Sequence, residues 1–482
     1  MASAHSKLDR TTALLAALVA AVLASAAIAQ EQAPPAASAA SSGNPFLGGV
    51  PDGVISEETL SLTLADAVQR GLEHNLGAIL GAQLVRAAEA GRDLARSGLL
   101  PTVTGTLSAA RQEIDLEAFG FSVPEGQSPV TPPFNVADAR IHLVQPLFDL
   151  AALERARAGT ERLEAARLGY RDVREVVVLT CASLYLQAAL GSSRIESVRA
   201  QEEVAVALLE RAQRLKASGV AAGIEVLRAQ VQREAQRQRV IFCENEFARQ
   251  KLALARAIGL PLGQKFDLAE KLASAPALPV SSGAAIDEAL SSRADLKQAD
   301  AALRAAEAAR RADRYQSLPS IRFNADAGWI GPNLPRVERT FAVGVAVKIP
   351  LFEGGRVGAT VLQDDALLRQ IRARRDDLRA RIEYEVRAAL LDLDAAGERV
   401  KVARGALDLA DEQLRQSQDR FSAGVAGNLE VVQAQDALAA ASDSYLSALY
   451  AHNMARLSLS RAVGSAERSF TALLGGDGGN IR

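Results

Sequence analysis

The sequence predicts a mixed α and β protein built from one duplicated unit. Each copy contributes two β-strands of about ten residues and one long antiparallel helical hairpin. Three observations carry this reading. Motifs recur in the same order along the chain, two long proline-free stretches consist of strong helix formers, and four short segments alternate apolar and polar residues.

The repeat is exact enough to align by eye. Arg86–Ala90 (RAAEA) recurs as Arg304–Ala308, and Leu100-Pro101-Thr102 recurs as Leu318-Pro319-Ser320, both displaced by 218 residues. Pro146–Asp149 (PLFD) recurs as Pro350–Glu353 (PLFE), displaced by 204. Ser218–Ala221 and Arg256–Gly259 recur as Ala423–Ala426 and Arg461–Gly464, displaced by 205. The first copy therefore carries 14 extra residues in the loop 113–135. These boundaries give a first repeat at 60–267, a linker at 268–283, a second repeat at 284–466 and a tail at 467–482.

A shorter helix opens each repeat, and Thr63 to Asp66 has the form of a capping box at the first. No proline occurs from 147 to 260 or from 351 to 482, and both stretches are rich in Ala, Leu, Glu, Arg and Gln. They read as hairpins at about 150–260 and 355–465, broken at Gly219 and Gly223 and at Gly424 and Gly427. A helix from 150 to 217 is roughly 100 Å long. Cys181 and Cys243 flank the first break at distances that offset them by about 27 Å along the hairpin, beyond disulfide reach. They are expected to be two buried free thiols.

Between the opening helix and the hairpin the period falls to two. In 336–349, Val337, Phe341, Val343, Val345, Val347 and Ile349 alternate with polar or small residues that include Lys348. In 320–330, Ile321, Phe323, Ala325, Ala327 and Trp329 alternate with Arg322, Asn324, Asp326 and Gly328. In 137–146, Ala137, Ala139, Ile141 and Leu143 alternate with Asp138, Arg140 and His142, while 102–112 shows the weakest pattern. Four such strands are the pattern of a transmembrane barrel wall, with Arg140, His142, Asp326 and Lys348 facing the lumen. A soluble sandwich packed on one face is the alternative. Four strands cannot close a barrel, so the chain must oligomerise, two copies giving eight strands and three giving twelve.

Residues 1–29 read as a cleavable export signal: Lys7 and Arg10, an apolar run from Thr11 to Ala26, then Ala27-Ile28-Ala29. Residues 30–59 form a leader rich in Pro, Ala, Ser and Gly. Lys+Arg is 55 against Asp+Glu 57, which gives no broad positive field for nucleic acid. No later stretch of 18 apolar residues supports a bundle of membrane helices. With four scattered histidines and two methionines, no metal site or copper path is expected, and no catalytic array or nucleotide-binding fingerprint appears in context. No cofactor is expected. The extended loop at 113–135 carries Glu113, Asp115, Glu117 and Glu125 and no basic residue, as suits an extracellular loop.

Several motifs together resemble the TolC-like outer-membrane factors. They are LTLADAVQRGL (62–72), LARSGLLPTVTG (94–105), QPLFD (145–149), RLKASGVAAGIEVLRAQ (214–230), LALARAIGLPLG (252–263) and IPLFEGGR (349–356). The resemblance covers roughly 60–265 and 283–466. It implies a homotrimer with a twelve-stranded barrel in the outer membrane above a twelve-helix periplasmic tunnel. It also implies a passive duct of a tripartite efflux pump or type I secretion system, coupled to a periplasmic adaptor and an inner-membrane pump. The adaptor would dock at tips 216–226 and 421–431, around Gly219, Gly223, Gly424 and Gly427.

The same resemblance places acidic side chains at the periplasmic aperture, matched here by Glu225 and Glu430, each six residues after its tip glycine. Six carboxylates in one ring would favour cations and raise their own pKa values by repulsion. The ordinary alternative is that each Glu complements the N-terminal dipole of its returning helix. The family's tip arginine and additional aspartate are replaced by Ala426 and Gln433, so a salt-bridge lock is not expected, and packing or Gln433 hydrogen bonds are expected to hold the tip instead. Trp329 at the distal end of one strand, with Phe148 and Phe352 at proximal ends, fits aromatic belts at the lipid interfaces; core packing is the alternative. The competing reading of the whole chain is a periplasmic or secreted coiled-coil scaffold with a small soluble β-domain.

Overall fold

A computed structural model describes residues 44–468 except 125, 220–221, 274–280, 334, 424 and 426. The expected export signal, Gly424, Ala426 and most of the expected tail lie outside the described residues. The first half contains β1 (Leu60–Leu62), α1 (Leu64–His74), α2 (Leu76–Ser97), β2 (Thr102–Gln112), β3 (Phe134–Phe148), α3 (Leu150–Ala217), α4 (Gly223–Ala257) and β4 (Phe266–Leu268). The second contains α5 (Ser282–Ser292), α6 (Ala294–Arg314), β5 (Ser320–Gly331), β6 (Glu338–Lys348), α7 (Arg356–Ser422) and α8 (Asn428–Val463).

The four longer strands form one antiparallel sheet in the order β2-β3-β5-β6, so the two halves meet along β3 and β5. The register keeps every row on one face. Gly105, Ile141, Ala327 and Phe341 stand in one row, and Val103, Leu143, Ala325 and Val343 in another. Thr104, His142, Asp326 and Ala342 form a row on the opposite face. Among the described residues nothing is packed on the apolar face: Val103, Leu107, Ile141, Phe341, Val343, Val345 and Val347 are all more than half exposed. A soluble sandwich would cover these side chains, since leaving seven of them in water forfeits most of their burial energy. Both edge strands, β2 and β6, have one neighbour only, and the sheet is open.

Long helices follow the sheet without a break. Asp149 caps α3, its carboxylate accepting from the Ala152 N–H at 2.8 Å. The outgoing helices α3 and α7 have 68 and 67 residues, the returning α4 and α8 only 35 and 36. Half of each long helix thus lacks its hairpin partner, and α2 and α6 fill that space. Ion pairs mark their contacts: Arg167–Glu89 (3.0 Å) and Arg304–Glu161 (2.8 Å) on α3, Arg372–Glu307 (2.9 Å) and Arg375–Asp300 (2.9 Å) on α7. Among the described residues only α3 contains a window apolar enough to cross a membrane, and 56% of that window is buried inside the protein. It is a core helix.

Each opening helix proves to be two helices. The first breaks at Asn75, a fully buried side chain that donates to the Phe46 and Ala257 carbonyls (2.8 and 2.9 Å) and accepts from the Gly77 N–H. The second breaks at Arg293, which is 218 residues further on and therefore at the equivalent position. Arg293 is 3% exposed and forks onto Asp295 (3.0 and 2.7 Å), with Glu385 at 2.5 Å and the Ala462 carbonyl at 3.3 Å. The amide and the guanidinium solve the same problem, satisfying backbone groups where one helix stops and another starts.

Two further features were not foreseen. β1 and β4 form a parallel two-stranded sheet that pins the ends of the first repeat together. Beneath it, Tyr185 of α3 donates its hydroxyl to the Leu62 carbonyl (3.1 Å) and accepts from the Glu270 N–H (3.3 Å) within a core of Leu62, Val68, Leu254, Ile258 and Phe266. Cys181 lies in that core against Gly71, and burial pushes its thiol up to about 12. Cys243 departs from the expectation: it is free but only half-buried, beside an open groove of about 620 Å³ among α3, α4 and α8.

The Arg293 break generates a prediction. Burial alone raises the Asp295 pKa, but the Arg293 guanidinium more than offsets this and holds the carboxyl below its ordinary value. A depressed folded-state pKa contributes stability that is present above the unfolded value and lost as pH falls through the folded one. Arg293→Met is expected to cost about 3–5 kcal/mol near neutral pH by stranding the buried Asp295 carboxylate, whereas Glu385 keeps Arg381 at 3.6 Å. The gap from wild type should narrow in acid, as pH falls through the depressed folded-state pKa of Asp295; urea unfolding at a series of pH values measures it.

Candidate functional site

The polar face of the sheet carries a connected network. Arg140 contacts Asp326 on β5, reaches Thr340 on β6 (3.1 Å) and lies 3.4 Å from Asp138 on its own strand. Space for it comes from Gly328, its cross-strand partner, where an added Cβ would stand 3.0 Å from the Arg140 Cβ. Thr106 and His142 are 3.2 Å apart on the same face. Lys348 shares this face at the proximal end, paired with Ser320. The side chains singled out on β3, β5 and β6 therefore converge on one surface, and three of the four strands are cross-linked by a single guanidinium.

The aromatic residues separate. Trp329 lies on the apolar face near the distal end of β5, beside Leu107, Ala139 and Val337, and is 52% exposed. Phe148 would fall on the polar face by strict alternation. A bulge between Pro146 and Phe148 shifts the register and sets Phe148 opposite Ile321, in an apolar row. Phe352 is not a strand residue: β6 ends at Lys348, and Phe352 is in the exposed connection to α7.

At the other end of the long helices stand the tips. α3 ends at Ala217, and Gly219 takes a positive φ of 77°, the left-handed turn that stops a helix. Gly223 is the first residue of α4, and Gly427 is the residue before α8. Neither returning helix has a side-chain cap, and each carries its glutamate at the third position, Glu225 and Glu430, where the exposed N–H groups favour a carboxylate. Leu208, Leu414, Val431 and Ala434 form a small apolar core joining the two hairpins, and Arg211 of α3 lies 5.5 Å above the Phe421 ring.

The tip differs from its sequence expectation in one respect. An ion pair does span it: Arg420 Nε, on the last turn of α7, is 3.0 Å from Glu430 Oε1 across the turn, with both side chains exposed. Glu225 pairs with Arg228 at 3.1 Å. Gln433 is exposed, and hydrogen bonds between the hairpins here run from Gln232 to Asp436 (3.3 Å) and from Arg211 to the Ser422 carbonyl (3.5 Å). The Arg228 partner was readable from its i,i+3 spacing. Arg420 was not, because ten residues and a turn separate it from Glu430. Among the described residues no group of three or more His, Cys, Asp or Glu side chains is placed to hold a metal ion.

An open sheet with one polar and one lipid-compatible face, continuous with long helical hairpins, defines the class of outer-membrane channels that extend into the periplasm. The chain belongs to the family described as outer membrane efflux protein, matching it over residues 79–260 and 285–465. It is 26% identical to the pyoverdine export outer membrane protein OpmQ of Pseudomonas aeruginosa over 84% of this chain and 86% of that one. It is 23% identical to the alkaline protease secretion protein AprF of the same organism, over 82% and 83%. The fold matches the outer membrane protein VceC of Vibrio cholerae with a TM-score of 0.71 at 19% identity, covering 83% of this chain and 96% of that one. It also matches the open-state MtrE channel of Neisseria gonorrhoeae with a TM-score of 0.72 at 17% identity, covering 86% and 94%.

The cross-strand network yields a test. Arg140→Gln is expected to leave Asp138 and Asp326, which flank it in register, without their cation and to lower the melting temperature of the purified protein. Adding Asp326→Asn should restore much of the loss, since the stranded charge causes it. Heat-induced loss of β-sheet circular dichroism reads both.

Proposed function

We propose that three copies of this chain form a passive duct through the outer membrane, serving a tripartite efflux pump or a type I secretion system. The carrying observation is the exposed apolar face of a four-stranded sheet that is open at both edges. Lipid covers such a face, and hydrocarbon does not tolerate open edges. Joining β6 of one copy to β2 of the next closes twelve strands with three copies, in keeping with the homotrimer expected of this family.

In this reading Arg140, His142, Asp326 and Lys348 line the water-filled lumen, while Trp329, Phe148 and Phe352 sit at the membrane rims. The helical tips, with Glu225, Glu430 and Gln433, surround the periplasmic aperture. A periplasmic adaptor docks at 216–226 and 421–431, and the inner-membrane pump supplies the energy. The duct does no chemistry. The cited relatives are named for different cargoes, pyoverdine and alkaline protease, so this architecture is compatible with more than one substrate.

The purified protein, added to a planar bilayer, is expected to give discrete conductance steps and to migrate as a three-chain species in mild detergent. Cell fractionation should recover it with the outer membrane. Recovery in the soluble periplasm without bilayer conductance would instead support the coiled-coil scaffold reading.

A further inference from the structure

The two tip glutamates each have an arginine of their own chain at contact distance: Arg228 for Glu225 at 3.1 Å and Arg420 for Glu430 at 3.0 Å. More cations stand on the last turns of α3, where Arg214 and Lys216 complement the C-terminal dipole. Lys216 also reaches over the start of α4, its Nζ within 3.9 Å of where a Cβ on Gly223 would be. Over 210–230 four basic residues face two carboxylates, and over 413–433 the two signs are equal in number. The tips are thus not acidic, although each bears the acid that the family pattern leads one to expect.

We propose that the periplasmic aperture is a charge-compensated ring in which Arg228 and Arg420 set ion selectivity, so that the duct passes anions at least as readily as cations. The proposal rests on the reading that the tips form the constriction. Six bare carboxylates around one opening would hold a strongly negative potential and exclude anions. A guanidinium beside each carboxylate turns a monopole into a short dipole, whose field dies away within a few ångströms of water. Exposed ion pairs of this kind add little to stability. Selectivity depends on a different quantity, the net charge beside the pore, and that needs only proximity. Arg214 is itself compensated by Glu210 at 3.7 Å, and Lys216, over the start of α4, adds the positive charge that tips the balance towards anions.

The test is the reversal potential of single channels in a potassium chloride gradient, measured on the full-length wild type and on variants. Wild type is expected to show a potassium-to-chloride permeability ratio at or below unity. Arg228→Gln with Arg420→Gln should unmask the carboxylates and raise that ratio at least about threefold. Arg228→Lys with Arg420→Lys, which keeps the charge, should leave the ratio as in wild type and shows whether charge or packing is responsible. Glu225→Gln with Glu430→Gln should move the ratio further towards chloride. A strongly cation-selective wild type overturns the proposal, as does a glutamine pair that conducts with an unchanged ratio. A wild type that never conducts defeats the duct reading itself, and the proposal with it.

Discussion

Hydrocarbon contains no hydrogen-bond partners, and this constraint governs the rest of the molecule. Every backbone N–H and C=O that enters a membrane must be paired within protein, so only helices and closed barrels can cross. The sheet of β2, β3, β5 and β6 meets most of this demand by pairing internally, and only the outer sides of its two edge strands do not. The alternation of faces follows from the same requirement. The rows of Ile141 and of Val343 stand on the apolar face and the row of Asp326 and His142 on the polar one, and one residue of slippage would exchange the faces. The bulge at the end of β3 shows the tolerance of this rule: one extra residue is accepted where the strand leaves the sheet, and it moves Phe148 to the apolar side.

Duplication explains how a chain with few aromatic side chains builds so long a structure. Each half repeats the same series of short helices, strands and long hairpin, and alanine at buried positions allows the helices to approach closely. The halves are not copies in chemical detail. Where the first uses the amide of Asn75 to join two helices, the second uses Arg293 with Asp295 and Glu385. An amide satisfies three groups without a net charge. A buried guanidinium needs carboxylates around it, and the second half supplies them from α6 and α7. Among the described residues the first half alone carries the β1–β4 clasp and the Tyr185 anchor, which hold its start and end against α3.

Legibility followed the range of the interaction. The strands and long helices were visible because their periods, two and 3.6, are local properties of consecutive residues. The break at Asn75 was not, because α1 and α2 share one unbroken helical pattern and the interruption comes from a carbonyl of Ala257, 182 residues away. Arg140 was placed on the correct face by alternation alone, yet its link to Asp326 and Thr340 depends on which strands become neighbours. The tip showed the same division. Glu225 and Glu430 could be found from the repeat, whereas the arginine that holds Glu430 sits on the far side of the turn.

The amino-acid sequence by itself determined the duplicated plan, the alternating strand faces, the helix lengths and the family resemblance, since all of these are carried by spacing along the chain. Tertiary structure alone decided the strand order that joins the two halves, the division of each opening helix, the exposure of Cys243 and the pairing of Arg420 with Glu430. Those features depend on residues far apart in sequence meeting in space, and burial, charge balance and hydrogen-bond satisfaction act only after they have met.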